Sequence, residues 1–102
     1  MPRLNFQGKV QKIYPIKKTR NNQICKVDIF CPGFVNDDGE KISDDQVFPI
    51  LFFKDRIKQT SNLKVGDTVN ITAWLNSRQM EEDQDEKYRL NLSAKNIELV
   101  YD

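Results

Sequence analysis

The chain has 102 residues and a formal net charge of +1, a length that suits one domain with its own hydrophobic core. It contains no histidine, and neither of its two cysteines belongs to a CxxC pair, so we expect no zinc site, no cofactor and no Ser-His or Cys-His catalytic pair. No apolar run is long enough to span a membrane and no signal peptide is visible, so the sequence predicts a cytoplasmic protein that is not an enzyme.

The first segment, Leu4–Tyr14, alternates apolar and polar residues with a period of two, which predicts a half-buried strand. Gly8 within this segment, and a slip of the alternation near Lys12-Ile13, indicate bends or bulges. Pro15 ends the strand. The polar segment Lys17–Gln23 then predicts a hairpin connection.

The second predicted strand is Ile24–Cys31, and a long acidic loop, Asn36–Asp45, follows it. One face of the strand carries Cys25, Val27, Ile29 and Cys31, and the other carries Lys26, Asp28 and Phe30. The two cysteines stand six positions apart, roughly 20 Å along an extended chain, so they are expected to be free thiols. Phe30 is an apolar ring on a polar face, which makes it a candidate for contact with a ligand.

The third predicted strand, Val47–Phe53, is apolar on both faces, although only one face can fill a barrel interior. We expect Phe48, Ile50 and Phe52 to point outward, which would set Val47, Leu51 and Phe53 inward. An outward apolar face has three interpretations, all open at this point: a platform for a ligand, a subunit interface, or a patch covered by the rest of the chain.

The remaining predicted elements are a short helix over Asp55–Leu63, a tight turn at Lys64–Asp67, a strand Thr68–Arg78, an acidic hairpin loop Met80–Glu86 and a last strand Tyr88–Leu99. Trp74 falls on the polar, outer face of the fourth strand, where an interface with a second copy is the favoured interpretation. A slip at Lys95-Asn96 returns the end of the last strand to the core.

The order of elements is therefore three strands, a short helix and two strands, all within one domain of residues 1–102. This is the layout of the OB-fold, an all-β, five-stranded barrel with a short helix between the third and fourth strands. Closure into a barrel also removes the exposed sheet edges that promote aggregation.

Charge is segregated along the chain. Residues 1–35 hold seven basic residues and one acidic residue, whereas residues 36–46 carry −4 and Glu81–Glu86 carry −5. The basic first third of the chain is either a surface that binds an acidic polymer or an ordinary solvated surface. The acidic segments lack the spacing of a calcium loop and are interpreted as solvated loops.

The segment FFKDRIKQTSNLKVGDTVNITAWLNSRQ, followed by YRLNLSAKNIELV, resembles bacterial single-stranded-DNA-binding proteins and the related primosomal OB protein. In that family an aromatic residue ends the third strand, a short helix and a KVGD-like turn follow, and the fourth strand ends in Leu-x-x-Arg, here Leu75–Arg78. The chain is also similar to small uncharacterised bacterial OB proteins. The resemblance implies binding of single-stranded nucleic acid, with DNA favoured, in replication, recombination or mobile-element maintenance.

Binding of single strands without sequence readout requires cations for the phosphates and exposed aromatic rings for the bases. The predicted nucleic-acid contacts are Lys9, Lys12, Lys17, Lys18, Arg20, Lys26, Phe30, Phe48, Phe52 and Arg78. Arg78 could instead form an ion pair with the adjacent acidic loop. Trp74 is assigned to the contact of a homodimer or higher oligomer. The alternative function is a protein-interaction or structural domain, in which the third strand and Trp74 are buried against a partner.

Overall fold

The computed structural model describes residues 2–79 and 88–101, and the side chains of Arg78, Gln79 and Tyr88 lie outside that description. Its elements are β1 (Arg3–Ile13), β2 (Lys17–Lys18), β3 (Gln23–Cys31), β4 (Gln46–Phe53), a 3-10 helix (Lys54–Thr60), β5 (Thr68–Gln79) and β6 (Tyr88–Leu99). The acidic segment Glu81–Glu86 lies outside the described residues. None of the described helical residues forms a segment that is long and apolar enough to cross a membrane.

Five of the strands close into a barrel. The sheet runs β1-β5-β6-β4-β3-β2, and an additional pairing of β1 with β3 joins its two sides. All neighbours are antiparallel except β4 and β6, which run parallel and pair only through Ile50–Leu92 and Leu51–Ser93. The two-residue β2 is a small addition at the edge, because Lys17 and Lys18 extend the predicted hairpin by pairing with the start of β3. The predicted OB-fold, with its short helix before β5, is confirmed.

A bend in β1 allows this one strand to pair with two neighbouring strands. Its first half pairs with β5 as far as Lys9, and its second half pairs with β3 from Lys9 to Ile13, with a bulge between Val10 and Lys12. Gly8 lies at the bend, where an added Cβ would approach Ile29 Cγ2 to 2.5 Å and the Phe30 carbonyl oxygen to 2.7 Å. Glycine therefore permits the close approach of β1 and β3.

The other predicted irregularities also have structural counterparts. In the pairing of β5 with β6, Thr72 faces Asn96 and Ala73 faces Ala94, so Lys95 is the extra residue of a bulge at the predicted slip. The predicted turn before β5 closes through hydrogen bonds between Lys64 and Asp67. Gly66 adopts a φ of 97° in this turn and donates its N–H to the Val10 carbonyl at 2.8 Å.

The barrel interior is filled by the inward residues of every main strand. The buried apolar residues are Val10, Cys25, Val27, Ile29, Ile50, Phe52, Ile57, Leu63, Val69, Ile71, Ala73, Leu92, Ala94 and Ile97. Ile57 of the 3-10 helix is buried with these residues and packs the helix against the barrel. Both cysteines are free thiols, with Cys25 buried and Cys31 half-buried.

Candidate nucleic-acid interface

The pairing of β3 with β4 defines one outward surface of the barrel. Residues directly opposite each other in an antiparallel pair share a face, so the side chains opposite the polar face of β3 point outward with it. The pairs are Ile24–Phe53, Lys26–Leu51, Asp28–Pro49 and Phe30–Val47. We call these eight side chains the β3–β4 outer face. It combines two aromatic rings and four other apolar side chains with the charged pair Lys26 and Asp28.

The predicted orientation of β4 is wrong. Ile50 and Phe52 are fully buried, and Phe48 is half-buried, packed on the core with its ring centroid 5.5 Å from that of Phe6. The register explains the reversal, because Phe52 lies opposite Cys25 and Ile50 opposite Val27 on the inward face of β3. Phe52 is therefore a core residue and is withdrawn as a base-stacking candidate. Phe53 takes that place.

Lysines border the outer face along β1 and β2. Lys9 lies opposite Phe30, Lys12 opposite Asp28, and Lys17 opposite Ile24, so all three side chains share the face of their partners. The cations therefore follow one long side of the surface, and the apolar residues of β4 follow the other. Such a division suits a strand of nucleic acid, whose phosphates and bases lie on opposite sides of its sugar chain.

Tyr14 lies between Lys12 of β1 and Lys26 of β3, and it was not identified as a site residue from the sequence. The Lys26 and Lys12 ammonium groups lie 4.2 and 4.5 Å from the centroid of its ring, a cation–π arrangement. Its hydroxyl donates a 2.8 Å hydrogen bond to Asp28. This hydrogen bond, followed by partial desolvation and the carboxylate charge, raises the pKa of Tyr14, so the hydroxyl stays protonated at neutral pH. In the sequence, only the position of Tyr14 two residues after Lys12 indicated that its ring could lie beside the basic residues.

The hairpin between β2 and β3 continues the basic border beyond the barrel. The Thr19 N–H and hydroxyl both donate to the Asn22 carbonyl, at 2.7 and 3.1 Å, which closes the turn around Arg20. Lys18, Arg20 and their neighbours are exposed. Lys18 also lines an open depression between the hairpin and the start of the 3-10 helix, where Lys54 adds a second cation. The structure thus places Lys17, Lys18 and Arg20 beside one end of the β3–β4 outer face.

Trp74 lies half-buried on the outer surface of β5, as predicted. It pairs with Arg3 of β1 and Ser93 of β6, and the Arg56 guanidinium covers its ring at 4.9 Å. Ser93 also pairs with Leu51 of β4, so Trp74 lies two strands away from the β3–β4 outer face. Arg78 pairs through its backbone with Arg89, and its predicted phosphate contact concerns a side chain outside the described residues.

No group of three or more His, Cys, Asp or Glu side chains within residues 2–79 and 88–101 is arranged to hold a metal ion. The β3–β4 outer face and its border combine lysines with apolar and aromatic side chains.

Solved structures of similar fold come from several organisms. The wild-type single-stranded DNA binding protein from Thermus aquaticus matches with a TM-score of 0.77 and 15% sequence identity over 97% of this chain. This chain spans only 50% of that protein's length. The PriB protein from Ralstonia solanacearum matches with a TM-score of 0.71 and 10% identity, over 99% of both chains. The Plasmodium falciparum SSB, in complex with ssDNA, matches with a TM-score of 0.73 and 14% identity, over 99% of this chain and 96% of its own.

At the sequence level, no curated protein matches the chain. At these identities the structural matches establish the shared fold. The family model named single-strand binding protein family, in contrast, matches the sequence itself over residues 1–100. The chain belongs to the single-strand binding protein family.

Proposed function

We propose that this protein binds single-stranded DNA without reading its sequence. The β3–β4 outer face forms the platform, with the phosphates along Lys9, Lys12 and Lys17 and the bases against the apolar residues of β4. The observation that carries the proposal is the register of β1, β2 and β4 on β3, which sets the cations of β1 and β2 along one side of a single face and the apolar residues of β4 along the other. Family membership supports this function over that of a purely structural domain.

Phe30 and Phe53 are the rings assigned to base stacking. They lie near opposite ends of the outer face, six residues apart in register, which is about 20 Å along the strands. A base stacked on an aromatic ring contributes about 1–3 kcal/mol, and every base offers a π face. Two rings and a row of lysines therefore hold a strand of any sequence.

The biological setting and assembly are proposed on the same basis. The protein acts as a non-enzymatic module in the cytoplasm, on single strands exposed during replication, recombination or mobile-element maintenance. It forms a homo-oligomer through the outer surface of β5 around Trp74.

Titration of a fluorescent oligo-dT, read by anisotropy, tests the proposed function. We expect binding that weakens steeply with salt, with a logarithmic slope of about −0.7 for each phosphate neutralised. An oligo-rU of equal length, run as a competitor, compares RNA with DNA. Failure to bind oligo-dT even at about 20 mM salt, where charges act over about 20 Å or more, would exclude the function.

The first variant tests the contribution of the hairpin cations to binding. Replacing Lys17, Lys18 and Arg20 with Glu should abolish oligo-dT binding, because three attractive charges become repulsive. The melting temperature should barely change, since exposed charges contribute little to stability. Lys58→Glu with Lys64→Glu, at exposed positions away from this face, is the control and should bind nearly as the parent does. Equal binding by the hairpin variant and the parent would show that the hairpin is only a solvated loop.

A further inference from the structure

The loop between β3 and β4 exposes a group of apolar side chains. Phe34, Val35 and Ile42 are 63%, 53% and 60% exposed. Together with Cys31 and Pro32, the first two line a groove of about 690 Å³ whose rim includes Asp44. Apolar groups held in such a cluster are typical of a surface that another molecule covers.

Hydrogen bonds within the loop hold these side chains in place. The Phe34 N–H donates to the Ser43 hydroxyl at 2.7 Å, and the Ile42 N–H donates to the Phe34 carbonyl at 2.8 Å. The Asp45 carboxylate accepts a 2.8 Å bond from the Gly33 N–H and pairs with Lys41 at 2.9 Å. The Gly33 bond first, and Lys41 after it, lower the pKa of Asp45. The loop is thus built to present its apolar groups.

The loop that forms this groove carries several carboxylates, of which Asp44 lines the groove itself. Residues 36–46 carry a net charge of −4, so the loop repels phosphates and is unsuited to DNA. Within residues 2–79 and 88–101, Lys41–Asp45 is the only ion pair, which leaves Asp37, Asp38 and Asp44 without a cation from the described part of their own chain. A complementary ligand therefore combines an apolar group with two or more positive charges.

The chain itself carries such a ligand at the hairpin between β2 and β3. Ile16 is 52% exposed and directly precedes Lys17 and Lys18, with Arg20 at the turn. The hairpin and the acidic loop lie at opposite ends of the nine-residue strand β3, about 26 Å apart. One molecule cannot bring them together, whereas two molecules aligned head to tail can.

We propose that the groove of the β3–β4 loop docks the Ile16–Arg20 hairpin of a second copy of this chain. The contact is heterologous: each molecule offers its acidic end to one neighbour and its basic end to another, so the copies form a ring or an open chain according to the rotation between neighbours. Two loops bury well under about 1,200 Å², the range of weak and transient contacts. If the hairpin also holds DNA, which rests on the proposed function, then DNA and the neighbouring copy compete for the same cations.

Reversal of the charges at each end tests the contact. The first variant carries Lys17→Glu and Lys18→Glu, and the second carries Asp38→Lys and Asp44→Lys. A third variant combines all four changes and has the net charge of the parent, +1. All four positions are exposed, so each variant should fold, and circular dichroism checks that it does.

Sedimentation velocity without DNA measures the self-association. At about 50 mM salt, the average mass of the parent should rise with protein concentration. At about 500 mM salt this rise should disappear, because the Debye screening length falls to a few ångströms. Each double variant should raise the dissociation constant at least about tenfold, because the first makes both ends negative, −1 against −4, and the second leaves the loop without net charge. The quadruple variant should recover part of the association, since the exchanged positions of the two ends are again opposite in charge while the loop as a whole is neutral. Phe34→Ser should also weaken association without changing any charge.

Two results would overturn the proposal: a quadruple variant that stays as weak as the doubles, or a parent whose mass is independent of salt and concentration. Competition is tested separately by adding oligo-dT to the self-associated parent, which should lower its mass per protein to that seen at high salt. If the parent binds no oligo-dT, the proposed function fails, yet the charge-reversal result without DNA still decides the contact between copies.

Discussion

Phe52 and Phe53 are neighbours in β4 whose side chains point to opposite sides of the barrel wall. Phe52 is 0% exposed and is the largest of the fully buried side chains, and it faces Cys25 in the core. Phe53 is half-buried on the β3–β4 outer face, opposite Ile24. Truncating each ring to alanine removes the same atoms from the same strand, so the pair separates a contribution to stability from a contribution to binding.

The two truncations are expected to change different quantities, the free energy of unfolding for Phe52 and the free energy of binding for Phe53. Truncation of a buried Phe to Ala costs about 3–5 kcal/mol of unfolding free energy. In a domain of about 100 residues each kcal/mol shifts the melting temperature by roughly 4–8 °C, so Phe52→Ala should lower it by at least about 12 °C. Phe53→Ala should lower it far less. Instead, Phe53→Ala should weaken oligo-dT binding by about 1–3 kcal/mol, or roughly 5- to 150-fold, because one stacking contact is lost.

Thermal unfolding followed by circular dichroism measures the first effect, and anisotropy titration with oligo-dT measures the second. Titrations belong at a temperature where Phe52→Ala is fully folded, so that loss of structure is not mistaken for loss of binding. The slope against salt should stay unchanged in Phe53→Ala, since no phosphate contact is removed. Phe30→Ala should behave as Phe53→Ala does. If Phe53→Ala melts as early as Phe52→Ala, or if folded Phe52→Ala is the weaker binder, the assignment of faces in β4 is refuted.

Three further changes test other parts of the structure. Trp74→Arg should dissociate a homo-oligomer without unfolding the barrel, and light scattering that finds an unchanged mass or a monomeric parent would reject that interface. Gly8→Ala should destabilise the fold by about 1–3 kcal/mol in chemical denaturation, because the new methyl group meets Ile29 at 2.5 Å; a neutral effect would mean that β1 can shift there. The pKa of Asp45 is lowered in the folded chain, so its contribution to loop stability is present above the ordinary value of about 3.9 and is lost as the pH falls through the lower folded value. The NMR shift of the Gly33 amide should therefore titrate with a midpoint below about 3.9, and this titration should disappear in Asp45→Asn; a midpoint at or above that value would contradict the hydrogen bond.

The parts of the fold that could be predicted from the sequence are those in which polar and apolar residues alternate. A charged side chain is costly to bury, so Lys26 and Asp28 had to face outward and Val27 inward. The same logic located the bulge at Lys95, where the alternation changes phase, whereas the bend at Gly8 was indicated by the glycine itself.

The orientation of β4 and the composition of the candidate site were decided only by the tertiary structure. Both faces of β4 are apolar, so local pattern cannot distinguish Phe52 from Phe53, and the register with β3 makes the choice. Lys9 and Phe30 are far apart in sequence and meet because β1 bends to close the barrel against β3. Local sequence determines which faces of a strand can be buried, whereas long-range pairing determines which residues share a surface, because that depends on how the whole barrel closes.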